Sequence, residues 1–427
     1  MFKCTVCLAL LLPAIAQAQL APAQVDLLAS EIQPQVVEWR RWFHENPELS
    51  NREFKTAEKI EAALREMGIE PTTGVAHTGI IAVIEGGKPG PMVAIRSDMD
   101  GLPVTEKTGL PFASTKTDVY NGQDVGVMHA CGHDAHMSML LGAAWVLNSV
   151  KDDLAGSVML IFQPAEEGPP KGEEGGASLM LEEGIWAESK PEAIFGIHVG
   201  IGVPSGEIAL KPGPLMAAAD RYQINVLGRQ AHGARPWDGV DPIVVASQIV
   251  LGLQTIASRQ VDVTQAPSII SVGRISGGIR NNVIPDRVEL EGTIRTFDED
   301  MRRDIHVRME RTARAIAEAA GAEIEFELQL GTPAVYNDPE LLARMTPTLQ
   351  RVVGENAVHP ITPQTVAEDF AEYAIETPGI FMFLGNVPPG VDPTSLGGNH
   401  SPYFDMYEPS LEVGVRIFSN LVIDYLK

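Results

Sequence analysis

Apolar stretches of this chain repeatedly end in side chains able to bind metal, and that repetition limits what the chain can fold into. Met92 to Ser97 runs into Asp98-Met99-Asp100, Ser157 to Phe162 runs into Gln163-Pro164-Ala165-Glu166-Glu167-Gly168, and Ala193 to Val199 carries His198. Short apolar runs of this kind read as buried strands, and open α/β sheets place their ligands beyond the carboxyl ends of such strands. The densest cluster is Met128-His129-Ala130-Cys131-Gly132-His133-Asp134-Ala135-His136, directly ahead of an apolar run, Met137 to Val150, that reads as a helix. Cys131 and His133 are two apart, so in an extended segment they point to one side. Structural zinc sites and core histidines also produce a Cys-x-His pair, so the cluster needs partners from elsewhere in the chain.

Each partner has a plainer reading as well. Asp98 and Asp100 could cap a helix or form a turn, Glu166 and Glu167 could be a solvated pair, and His198 alone reads as a core histidine. If the backbone at Glu166-Glu167 is extended, the two face opposite ways, one towards a metal and the other towards its water. The recurrence of such residues at strand after strand favours a site.

Lys3, the apolar run Val6 to Ile15 and the small residues around Gln17 read as a secretory signal peptide cleaved after Ala18, too short to span a bilayer. Cys4 and Cys7 leave with it, and Cys131 remains as a lone thiol, a liability in an oxidising compartment unless something such as a metal occupies it. The chain of 427 residues points to two or three domains. A net charge of −24 argues against nucleic acid and anionic membrane as partners.

Along the chain, Val25 to Met67 reads as two helices broken at Asn46-Pro47, with Trp39, Trp42 and Phe43 as core and His44 as a structural histidine. Gly79 to Glu85 is a further strand. From Pro212 to Ala219 the character changes. Strand Tyr222–Val226, helix 241–259, strands 268–275 and 288–296, helix 298–320 and strand 323–330 follow in the order β-α-β-β-α-β, which is the ferredoxin-like arrangement. Two Gly-rich loops in this segment, around His232 and around Asn282, suit an anionic group or are ordinary turns. After Gly331 the α/β pattern returns, with helices at 339–353 and 367–375, a strand at 380–384, His400, and a closing helix from Pro409. The expected organisation is a signal peptide (1–18), a catalytic α/β domain in two parts (19–215 and 331–427) with a mixed sheet flanked by helices, and an inserted α+β lid or dimerisation domain (216–330).

The segments Arg41 to Leu49, Ser97 to Pro103, Met128 to His136, Pro164 to Gly168, the His232 loop, Asn282 to Pro285, Glu368-Asp369-Phe370 and Asn399 to Pro402 carry a resemblance across the mature chain. It resembles the metal-dependent amidohydrolases of the aminoacylase and carboxypeptidase superfamily, in the branch of the hippurate and auxin-conjugate hydrolases. The resemblance implies hydrolysis of N-acyl amino acids or small peptides by a two-metal site. Its ligands would be Cys131, His133, Glu167, His198 and His400, with Cys131 bridging, Glu166 as general base and Asp98 supporting from behind. His232 and Asn282 would hold the substrate or the developing oxyanion, in the site of a partner subunit where the enzyme is a homodimer. Trp237 stands where many relatives have a histidine, which bears on specificity. The ligand set suits zinc or manganese and admits nickel or cobalt. A periplasmic or secreted location follows from the signal sequence. Two other readings are a hydrolase with Cys131 as covalent nucleophile and a non-catalytic periplasmic binding protein on the same scaffold.

Overall fold

The computed structural model describes residues 21–427, so the signal-peptide reading of residues 1–18 lies outside the described residues. Helix α1 (Pro22–Glu45) buries Val25, Ala29, Ile32, Val36, Trp39 and Phe43, a three-to-four spacing that makes one apolar face. It stops at Asn46, because the residue before Pro47 is driven out of the helical region. Helix α2 (Phe54–Glu66) precedes strands β1 (Pro71–Val75), β2 (Gly79–Glu85) and β3 (Lys88–Asp98), then α3 (His133–Ser149), β4 (Ala155–Gln163), α4 (Gly176–Glu182), β5 (Ala193–Pro204) and β6 (Ile208–Leu210). Helix α3 starts at His133, four residues before the apolar run that announced it. It is buried on nearly every side. Gly142 makes this possible, since a Cβ there would stand 2.7 Å from a Val415 methyl and 2.8 Å from one of Val36. The ~1 kcal/mol that glycine costs a helix is offset by this close packing.

The inserted segment comprises β7 (Ala218–Leu227), α5 (Pro242–Arg259), β8 (Ser268–Gly277), β9 (Arg287–Thr296), α6 (Glu299–Ala319) and β10 (Glu323–Gln329). They form a four-stranded antiparallel sheet in the order β8-β9-β7-β10, the ferredoxin-like arrangement. Tyr222, Ile224 and Val226 alternate inward along β7 and meet the apolar faces of α5 and α6 in a separate core. Asp241 and Asp298 start the two helices by accepting backbone N–H groups in their first turns.

The chain returns through α7 (Pro339–Val353), β11 (Val358–Pro360), α8 (Phe370–Glu376), β12 (Gly379–Val387) and α9 (Pro409–Tyr425). The larger sheet has eight strands in the order β1-β2-β4-β3-β5-β12-β6-β11. Its central strands β4, β3, β5 and β12 run parallel, and β1 and β2 are antiparallel at one edge. Helices α1, α3 and α9 pack on one face and α4 and α8 on the other. The carboxyl ends of the parallel strands thus open at one rim. The sequence did not show β1 or the exposed hairpin of 117–126, whose short strands alternate no apolar residues into a core.

The two connections to the inserted segment are clamped together. Asp220 accepts from Arg302 Nε (2.9 Å), from the Gly331 N–H (3.0 Å) and faces His306 Nε2 (2.8 Å). Arg302, His306 and the Gly331 N–H hold this carboxyl below its ordinary range, although burial opposes them. Asp220→Ala is expected to cost roughly 2 kcal/mol at neutral pH, because the largely buried Arg302 loses its two closest carboxylate contacts and keeps only Glu299 and the Gly331 carbonyl among the described residues. A folded-state pKa below the unfolded one means that this stabilisation is complete above the unfolded value of ~3.9 and is lost as pH falls through the folded value. Urea midpoints of the two proteins should therefore converge only below about pH 4.

Candidate metal centre

Cys131 lies just ahead of α3, and Gly132 between it and His133 has φ +98°. A Cβ at Gly132 would stand 2.2 Å from a Val199 methyl, so only glycine fits. The segment is therefore not extended, as alternation suggested. A left-handed turn, and not a strand's period of two, aims Cys131 and His133 into one place, together with His198 from β5. Glu166 and Glu167 depart from expectation in the same way. They lie in a turn after β4, following Ala165 at φ +53°. Instead of facing apart, both approach His133 Nε2, Glu166 Oε2 at 3.7 Å and Glu167 Oε1 at 4.0 Å.

Asp100 shapes that turn. Its Oδ1 accepts the Glu166 N–H (3.1 Å), and its Oδ2 accepts the Glu167 N–H (3.0 Å) and the Ser50 hydroxyl (2.7 Å). Oδ1 also stands 3.2 Å from His133 Nδ1, which turns His133 Nε2 towards the two glutamates. Asp98 and Asp100 both end the β3 run, and only the fold distinguishes Asp100 as the carboxylate that meets the turn. Asp98 Oδ1 accepts from His136 Nδ1 (2.7 Å), and its Oδ2 accepts from Arg96 Nη1 (2.9 Å). The other nitrogen of His136 accepts the Val199 N–H (2.9 Å), so no lone pair of this ring remains for a metal.

The remaining donors converge on Cys131. His198 Nδ1 donates to its neighbour's carbonyl, Val199 O (2.8 Å), leaving Nε2 as a bare acceptor 3.3 Å from Cys131 Sγ. Burial and then His136 lower the His198 pKa to about 3, so the ring is neutral. His400, on a loop after β12, stands 3.3 Å from Cys131 Sγ and 3.1 Å from Glu167 Oε1. Asn399 pins that loop by donating to Cys131 O (3.0 Å). Cys131 thus belongs to two groupings, one with His133 and His198 and one with Glu167 and His400.

These donors fit metal. His133 Nε2 is buried without a hydrogen-bond partner among the described residues, which is costly unless something else satisfies it. Ligands ~2.0–2.3 Å from one tetrahedral ion stand roughly 3.3–3.8 Å apart, close to the separations at Cys131. Electrostatics agrees. Burial alone would lower the His133 pKa, yet Asp98, Asp100 and Glu167 push it up to about 10. Burial and then Glu368 and Glu167 hold Glu166 well above the usual carboxylate range. Burial and then Glu167 and Glu166 push the Cys131 thiol up in the same way, the opposite of what a free nucleophilic thiolate needs. So much negative charge in so little water calls for a cation.

His232 and Asn282 come together elsewhere. Ala231-His232 pairs with Val283-Ile284, and a recess of about 600 Å³ in the inserted domain is lined by Gln230, His232, Arg280 and Asn282 among others. His232 Nδ1 accepts the Ala234 N–H (3.0 Å), so in the neutral ring Nε2 carries the proton and faces outward as a donor. Among the described residues, no hydrogen bond or ion pair joins His232 or Asn282 to the cluster around Cys131. Trp237, beside this recess, is exposed.

Convergent imidazole, thiol and carboxylate donors at the carboxyl rim of an α/β sheet, in a chain that also carries a ferredoxin-like insert, are the attributes of a metal-dependent hydrolase. Residues 94–424 match the family described as Peptidase family M20/M25/M40, and the chain belongs to that family. It is 40% identical over 356 residues to the N-acetyl-L-cysteine deacetylase of Bacillus subtilis strain 168, covering 83% of this chain and 81% of that one. It is 38% identical over 399 residues to thermostable carboxypeptidase 2 of Saccharolobus solfataricus, covering 92% and 96%. A solved structure of Bacillus subtilis YXEP, described as a dinuclear metal binding peptidase from the M20 family, matches with a TM-score of 0.77 at 36% identity, over 93% of this chain and 99% of that chain. The protein is a metal-dependent amidohydrolase.

Proposed function

We propose that this enzyme cleaves the amide bond of N-acyl amino acids or small peptides, with Cys131, His133, Glu167, His198 and His400 holding two divalent ions and Cys131 shared between them. The observation that carries this reading is the Glu166 carboxylate: 9% exposed, 3.7 Å from His133, and accepting no hydrogen bond among the described residues. Bound divalent ions acidify water and polarise a carbonyl oxygen. Glu166 takes the proton of the attacking water and delivers it to the leaving nitrogen. Asp100 keeps His133 and the Glu166-Glu167 turn in register, and Asp98 does the same for His136 and the β5 backbone. From the inserted domain, the His232 Nε2–H is a preorganised donor for the developing oxyanion and Asn282 a donor for the substrate. The thiol, imidazole and carboxylate donors take zinc or manganese first and admit nickel or cobalt.

The names of the relatives support the substrate class, a deacetylase on one side and a carboxypeptidase on the other. The decisive experiment is a hydrolysis panel of N-acyl amino acids and dipeptides, using protein stripped of metal and reloaded with each ion. Release of free amino acid from at least one member, restored by reloading, is the expected result; no release with any ion overturns the reading. A homodimer is supported by the edge strand β8 and helix α5, which expose Ile269, Ile275 and Leu251. The N-terminal sequence supports export to the periplasm or medium, and no helix of the described residues is long and apolar enough to cross a membrane.

A further inference from the structure

Behind the turn that presents Glu166 and Glu167 lies a buried carboxyl group, that of Glu53, which the reaction as described does not use. Asp100 takes the Glu166 and Glu167 N–H groups. The N–H just ahead of them, that of Ala165, goes to Glu53 Oε1 at 3.0 Å. Three successive backbone donors therefore close on side chains from distant parts of the chain. The turn's own backbone supplies the weaker bond from the Gly168 N–H to Ala165 O (3.2 Å). Ala165 needs such a hold. Its φ of +53° lies in the left-handed region, which a residue with a side chain keeps only where its surroundings fix it.

The course of the Glu53 side chain is as telling as its contact. Glu53 immediately precedes α2, where a short acidic side chain ordinarily accepts an N–H of the helix's first turn. Glu53 makes no such bond. Glu48 Oε2 does that work, accepting the Thr56 N–H (2.9 Å) and the Thr56 hydroxyl (3.0 Å). The Glu53 carboxyl is thereby free to run inward to Ala165. Its other oxygen, Oε2, accepts the Thr78 hydroxyl (2.6 Å). Thr78 follows the tight turn between β1 and β2, in which Ala76 and His77 are left-handed at φ +46° and +79°. That turn is itself tied down, the Ala76 N–H by Glu183 Oε2 (2.7 Å) and His77 Nε2 by Glu174 O (3.1 Å). Glu53 thus braces the bend at Ala165 against a fixed hairpin, with both oxygens engaged.

We propose that Glu53 is a positioning residue of this enzyme: by holding the Ala165 N–H, it keeps the turn in the bend that aims the Glu166 carboxylate at the metal centre. This rests on the reading of Glu166 as the general base. Among the described residues, no hydrogen bond or ion pair joins Glu53 to a metal ligand, so it acts through the backbone one residue ahead of the base. A reacting group displaced by ~1 Å loses up to about 10² in rate, which sets the size of effect at stake.

The test separates reach from charge in the metal-loaded enzyme. Glu53→Gln keeps the length, an accepting oxygen for Ala165 and a donor for the Thr78 oxygen, so its kcat is expected within about threefold of wild type. Glu53→Asp keeps the charge and withdraws the carboxyl by one methylene. Aspartate is a favoured helix cap, so α2 keeps its start while the Ala165 N–H loses its partner. Its kcat is expected to fall by about tenfold or more, with KM within about twofold. Glu167 keeps its own bond to Asp100, so metal content stays at the wild-type value. In a Glu166→Gln background, by single-turnover kinetics, Glu53→Asp should cost less than about twofold, since a residue acting through the base has nothing left to position; a general weakening of the fold would cost the same factor in both. Aspartate within about threefold of wild type, glutamine losing as much as aspartate, or an equal loss in the two backgrounds each overturns the role of Glu53 and leaves the base reading standing. Full turnover in Glu166→Gln alone overturns the base reading, and this role with it.

Discussion

Glu166→Gln is expected to lower kcat by about 10²–10⁴-fold, the range that a positioned general base supplies, while metal content and KM stay near wild type. The substitution preserves shape and removes only the ability to take a proton. Nothing structural depends on the charge: the side chain makes no hydrogen bond among the described residues, and only the Glu166 N–H, which glutamine retains, is tied to Asp100. Burial together with Glu368, Glu167, Asp369 and Asp98 disfavours the carboxylate. Removing one negative charge from that group should leave the melting temperature of the metal-free protein unchanged or higher. Single-turnover kinetics and metal analysis on the same sample check this. A variant with normal turnover and normal metal content is incompatible with Glu166 as the base.

The parts of this site legible in the sequence are those set by chemistry and by strand ends. His198, Glu167 and Cys131 announce themselves because imidazole, carboxylate and thiol stand out where an apolar strand or an ordinary loop would place something else. The strands themselves were legible because β3, β4, β5 and β12 are buried on both faces and read as continuous apolar runs. What alternation could not show is direction. Gly132 at φ +98° and Ala165 at φ +53° bend the chain away from an extended backbone; Val199 leaves no room for a side chain at Gly132, and Asp100 and Glu53 hold the turn at Ala165. Asp100 and Arg96 were equally hidden. Their roles depend on partners far away in sequence, Glu166 for one and Asp369 for the other, and spacing along a strand carries no trace of them.

Stripping the metal with a chelator is expected to abolish turnover and to lower the melting temperature, with both restored on reloading. Without a cation, Cys131, Glu166, Glu167, Asp98 and Asp100 crowd around His133, and one buried ligand atom, His133 Nε2, has no hydrogen-bond partner among the described residues. An ion that binds only the folded chain stabilises it by about 4 kcal/mol when present at ~1,000 times its dissociation constant. In a chain of this length that is a shift of roughly 5–10 °C. The metal-free site also has a proton to lose. Asp98, Asp100 and Glu167 carry His133 up to about 10 against the opposing effect of burial, so near neutral pH its ring is protonated until a cation replaces that proton. A raised pKa is satisfied below its value, so the competing proton is held more firmly as pH falls. Metal affinity should therefore rise with pH up to about 10, by about tenfold per unit for each proton displaced. Calorimetric titrations of the stripped protein in buffers of different ionisation enthalpy count those protons directly. Binding that releases none, with an affinity flat from pH 6 to 8, would mean that His133 is already neutral in the metal-free site and that the surrounding carboxylates hold the proton instead.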